Sequence, residues 1–139
     1  ERAVAGRWRS QLNENAKRFA GESAFPESVH HEIEGWADQA KLESPCVVIL
    51  GSVERWTDPR DRVIAAAERE LRDLGFDLLR VPPYGDSRVE RLLSQVFLGD
   101  RVSVDLARLS GVDPVPIGAI DRLKRAVATA PPKGGEEDR

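Results

Sequence analysis

Residues 46–81, "CVVILGSVERWTDPRDRVIAAAERELRDLGFDLLRV", decide the fold class of this chain. The run Cys46–Leu50 is continuously apolar and rich in β-branched side chains, which fits a short strand buried on both faces. Asp58 followed by Pro59 has the capping and first-turn chemistry of a helix start. Ile64, Ala67, Leu71 and Leu74 then recur at helical spacing, and Gly75 is placed to end that helix. A second run, "FDLLRV", closes at Pro82 and Pro83. Strand, helix and strand at this spacing form a βαβ unit, which requires a parallel pair and a right-handed crossover. The class is therefore α/β.

Toward the N-terminus, Val4, Trp8, Leu12, Ala16 and Phe19/Ala20 predict an amphipathic helix over 2–20 that ends near Gly21. After the turn-rich "GESAFPES", a shorter helix over 29–40 carries Ile33, Trp36 and Ala37 on one side. Toward the C-terminus, Ser87 with Glu90 makes a capping-box pattern for a helix reaching Val96–Leu98. Gly99 and Asp100 are read as a restart, with a further helix through Leu109 ended by Gly111. Pro116 opens a last helix with the stripe Ile117, Ile120, Leu123 and Val127. Residues 1–129 form one domain, and "APPKGGEEDR" (130–139) is expected to be a disordered tail. About five helices against two strands is an odd balance, because two parallel strands alone leave unpaired edges. A further strand is expected from chain outside this sequence.

Composition bounds the function. The 139 residues are 40% hydrophobic, enough for one core. A net charge of -3 gives no broad attraction to nucleic acid or acidic membranes. The single cysteine, Cys46, cannot form an internal disulfide and is expected to behave as a small buried hydrophobe. No apolar run approaches the roughly 20 residues that cross a bilayer, and no signal peptide is visible. A soluble, cytoplasmic protein is expected. The start at Glu1, without Met and already inside a helical pattern, suggests a piece of a longer chain.

Three clusters could carry chemistry. In "WRSQLNENAK" (8–17), Glu14 stands among the amides of Gln11, Asn13 and Asn15. The ordinary reading pairs Glu14 with Arg18 one turn on, with Lys17 nearby. The chemical reading has amides orienting a carboxylate and bonding hydroxyls of a bound polyol. In "VHHEIEGW", His30 and His31 are adjacent and cannot share one helix face. That argues against a two-histidine metal site and leaves His30 as a possible proton carrier or a surface residue. "GSVERW" and "GDSR" each resemble a helix start that could hold an anion, without the spacing of an established phosphate loop. Trp8, Trp36 and Trp56 read as packing.

"VAGRWRSQLNENAK", "HHEIEGW" and "GDSRVERLLSQVFLGDRVSVDLARLSGVDPVPIGAIDRLK", in this order, resemble the C-terminal half of bifunctional phosphoglucose/phosphomannose isomerases. These enzymes are built from two sugar-isomerase (SIS) domains. The resemblance covers about Arg2 to Val127 and is most specific at "NENAK", "H-x-E-I-x-G-W" and "GVDP-x-P". It implies a SIS-type parallel sheet flanked by helices, with an N-terminal strand and an N-terminal SIS domain supplied from outside the chain. It implies interconversion of glucose 6-phosphate or mannose 6-phosphate with fructose 6-phosphate through a cis-enediol, without metal or organic cofactor. Glu14 matches the base that moves the proton between C1 and C2. His30 matches the ring-opening histidine, which reaches its site across a homodimer interface. The partners implied are a sugar phosphate, the N-terminal SIS domain and a second copy.

One position departs from the pattern. Asp105 stands in "VSVDLA" where family members tend to carry an aromatic or basic side chain near the active site, and a carboxylate there would repel a phosphorylated substrate. It favours the alternative reading, a degenerate, non-catalytic SIS module that binds a sugar phosphate or a protein partner.

Overall fold

A computed structural model describes residues 2–25, 27–39, 45–51 and 59–129. Its elements are α1 (Arg2–Glu14), α2 (Glu27–Gln39), β1 (Cys46–Leu50), α3 (Pro59–Asp73), β2 (Asp77–Val81), α4 (Arg88–Leu109) and α5 (Gly118–Thr129). The strands pair in parallel, Cys46 opposite Asp77 through Leu50 opposite Val81. The βαβ unit is thus present, with α3 packed against β2. The expected helix cap at Asp58 and the tail 130–139 lie outside the described residues.

The second half of the fold is the pair α1 and α4. Gln95, Gly99, Ser103 and Ala107, four residues apart on α4, are buried, as are Val4 and Trp8 of α1, and the two helices pack together. Trp8 lies against Gly99 so closely that a Cβ there would overlap the indole. The indole N–H donates to the Gln95 carbonyl at 2.8 Å. Arg7 grips Asp100 with two bonds, 2.9 and 2.7 Å. Gln95 also joins the two halves, donating from Nε2 to the Val81 carbonyl at the end of β2, 2.9 Å away.

Several boundaries differ from the sequence reading, each for a physical reason. α4 runs unbroken over 22 residues, because Gly99 provides room for Trp8 and does not interrupt the helix. α1 stops at Glu14, six residues before the expected Ala20. There Lys17 takes φ 53° and the Arg18 N–H turns back to the Leu12 carbonyl at 3.2 Å. α3 and α4 do end where Gly75 and Gly111 predict. At φ 90° and 66° these glycines close two-bond terminations: Phe76 to Leu71 with Gly75 to Arg72, and Val112 to Ala107 with Gly111 to Arg108.

Burial in the sheet is thinner than predicted. In β1 only Ile49 is buried, and Cys46 is exposed at the strand start. The strand is therefore not covered on both faces, and among the described residues its edge away from β2 is unpaired as well. The stripe of α5 is likewise uncovered, with no buried residue in that helix.

Candidate functional site

The C-terminal turn of α1 gathers the "NENAK" side chains. Glu14 is the last helical residue and is exposed. Because the helix stops there, Arg18 is not one turn further on, and its guanidinium donates instead to Ser110 Oγ at 3.2 Å. Among the described residues no group bonds the Glu14 carboxylate. The helix-surface pairing expected for it is absent.

Each neighbouring amide has definite work. Asn13 donates to the Arg9 carbonyl at 2.7 Å and to the Ala20 carbonyl at 3.0 Å, and its Oδ1 accepts from the Ala20 N–H at 3.4 Å. Asn13 thus ties the returning segment to α1, and both ends of its amide are occupied. Asn15 spends both donor hydrogens inward, on Gln11 Oε1 at 2.6 Å and on Ser103 Oγ at 2.9 Å. Ser103 is fully buried and donates in turn to the Asp100 carbonyl at 2.8 Å. This chain anchors the turn after Glu14 to the middle of α4. It leaves Gln11 Nε2 as a donor and Asn15 Oδ1 as an acceptor without partners among the described residues.

Asp105 is held by its own helix. Arg101 Nε contacts its carboxylate at 2.5 Å and Arg108 at 3.4 Å, and the bond to Asp105 raises the already high pKa of Arg101. Two flanking cations offset the repulsion that the lone carboxylate would exert. His30 lies within α2, but its side chain is outside the described residues. His31 is exposed.

The anion sites read from sequence fare differently. At "GDSR" the helix start is filled by the protein's own carboxylate: Glu90 accepts from the Asp86 and Ser87 N–H groups at 3.0 and 2.8 Å. "GSVERW" lies mostly outside the described residues. Two surface depressions, about 430 and 560 Å³, lie beside α3, one between Ile33 of α2 and Arg62 and Val63 of α3, the other between Arg69 and Arg72 of α3 and Arg80 of β2, and Glu14 borders neither. Among the described residues no three His, Cys, Asp or Glu side chains gather to hold a metal ion, and no helix is long and apolar enough to cross a membrane.

Comparison with known proteins places the chain in a family. The model of the bacterial phospho-glucose isomerase C-terminal SIS domain matches residues 1–127. A bifunctional phosphoglucose/phosphomannose isomerase of Aquifex aeolicus is 36% identical over 121 residues, covering 87% of this chain and 38% of that protein. Its counterpart in Caldicellulosiruptor bescii is 34% identical over 134 residues, covering 90% and 37%. The crystal structure of a glucose-6-phosphate isomerase like protein from Thermus thermophilus superposes with a TM-score of 0.63 at 22% identity, covering 90% of this chain and 40% of that one. The chain thus spans about two-fifths of the length of these relatives. It belongs to the family of bacterial phospho-glucose isomerase C-terminal SIS domains.

Proposed function

We propose that this chain is the base-bearing part of a phosphoglucose/phosphomannose isomerase. It would interconvert glucose 6-phosphate or mannose 6-phosphate with fructose 6-phosphate in the cytoplasm. The observation that carries this reading is the Glu14 carboxylate, unpaired among the described residues on a turn that the Asn13 and Asn15 amides tie to α1 and α4. A carboxylate engaged by no neighbouring cation is available to take the proton from C2 of an open-chain aldose and return it to C1. General base catalysis of this kind contributes about 10²–10⁴-fold. Gln11 Nε2 and Asn15 Oδ1 are the donor and acceptor offered to the sugar hydroxyls, and Asn13 serves by fixing the return of the chain.

Glu14 is exposed and outside both depressions, so its pocket is completed by other chain: an N-terminal SIS domain that grips the phosphate, and the partner copy's ring-opening histidine in a homodimer. Binding energy from the phosphate helps drive the chemistry, and this chain alone is expected to be weak or inactive. The experiment is isomerase assay of Glu14→Gln in the presence of the N-terminal half. Loss of turnover of at least about 10²-fold is expected, and full activity would falsify the base assignment. His30→Ala should slow reactions begun from the closed ring more than those begun from open-chain sugar.

A further inference from the structure

We infer that Lys17 is a positioning residue for Glu14, clamping the turn that carries the base against the loop 111–116; the role rests on the base reading above. Lys17 is the one non-glycine residue with positive φ, 53°, among the described residues, a backbone that side chains bearing a Cβ rarely adopt. That conformation turns the chain sharply after α1 and places the ammonium among three carbonyl oxygens. Nζ donates to Glu14 O at 2.5 Å and to Pro116 O at 2.8 Å, with Pro114 O at 3.5 Å. An ammonium has three hydrogens to give and no acceptor, so these oxygens account for its bonding capacity.

The receiving loop is stiff before Lys17 arrives. Gly111 and Val112 close the end of α4, and the Val115 N–H donates to Asp113 Oδ1 at 2.9 Å. Pro114 and Pro116 fix their own φ and lack an N–H, so the loop presents carbonyls from a constrained backbone. On the other side, Glu14 O is one of the last α1 carbonyls, which have no partner within the helix. A cation there also suits the negative end of the helix dipole. The two motifs "NENAK" and "GVDP-x-P", distant in sequence, therefore meet at one nitrogen. The backbone from which the Glu14 side chain departs is pinned by α1 before it, by Asn15 on Ser103 after it, and by Lys17 below it. Misplacement of a catalytic group by about 1 Å can cost about 10²-fold in rate.

The test compares Lys17→Met, Lys17→Gly and Lys17→Arg with the parent, each together with the N-terminal half, in steady-state isomerase kinetics and thermal unfolding. Glycine removes the ammonium yet accepts φ 53° freely, so it remains readable if the methionine variant does not fold. The expected result is a kcat about 10- to 100-fold lower for Met and Gly with KM within about twofold, and recovery of most of that loss by Arg. Parental kcat in either neutral variant overturns the role. So does a rise in KM alone, which would make Lys17 a substrate contact, and so does an arginine variant as slow as the methionine one. Glu14→Gln is run alongside. If it is dead while Lys17→Met is fully active, only the clamp fails; if it turns over normally, the base reading fails and takes the clamp with it.

Discussion

A single hydrogen at Cα of residue 99 determines whether α1 can lie on α4. The Trp8 indole occupies the place where a Cβ would stand, and its N–H reaches the Gln95 carbonyl one turn earlier. Gly99→Ala should therefore destabilise the chain by about 1–3 kcal/mol, although alanine is the better helix former. Urea unfolding checks this, and a stabilised variant would show that the contact yields easily. Cys46 offers a second test at this scale. It is exposed, yet partial burial of the sulfur, and then the charge of Asp77 on the neighbouring strand, push its thiol above the ordinary thiol range. A raised thiol pKa means less thiolate at neutral pH. Alkylation at about pH 7.5 should accordingly be slower than for free cysteine, and faster in Asp77→Asn; an Asp77→Asn rate equal to the parent's would remove the carboxylate from the explanation.

Helix ends account for what could and could not be seen at the level of elements. Gly75, Gly111 and the Ser87–Glu90 box act through residues three to five apart, so their signals are local and legible in the sequence. The continuity of α4 through Gly99 and the end of α1 at Glu14 escape the sequence because their causes are tertiary. The glycine answers to an indole 91 positions away, and the α1 turn answers to Ser103 and to the carbonyl of Pro116. The same distinction applies at "GDSR": the sequence marks Glu90 as a cap, while its occupation of the Asp86 and Ser87 N–H groups is a property of the folded turn. Bonding to the Ser87 backbone, then to the Ser87 side chain and the Asp86 backbone, lowers the Glu90 pKa below the usual carboxylate range. A depressed carboxylate contributes stability fully above its unfolded pKa and loses it as pH falls through the lowered folded value. The stability gap between parent and Glu90→Gln should stay flat from about pH 7 to about 5 and narrow in more acid solution. A gap that widens on acidification would contradict the cap's polarity.

For the whole molecule, the decisive quantity is how much apolar surface these residues leave uncovered. The α5 stripe that periodicity assigned to a core is open instead: Leu123 is 64% and Val127 67% exposed, and Phe97 on α4 is 75% exposed. The two parallel strands among the described residues add open edges, and parallel strands normally lie in the covered interior of a larger sheet. The matched relatives are more than twice as long, and in the function proposed above the N-terminal SIS half is what covers these faces. On this account the chain in isolation should associate and bind a hydrophobic dye such as ANS, with a shallow unfolding transition. Mixing with the N-terminal SIS half should quench the dye signal and sharpen that transition, because binding to the folded state stabilises it by mass action. The decisive measurement is sedimentation of the isolated chain across a concentration series, with ANS fluorescence read on the same samples. A monodisperse monomer that leaves the dye dark and melts cooperatively would mean that these faces are already satisfied by this chain, and the incomplete-sheet account would fall.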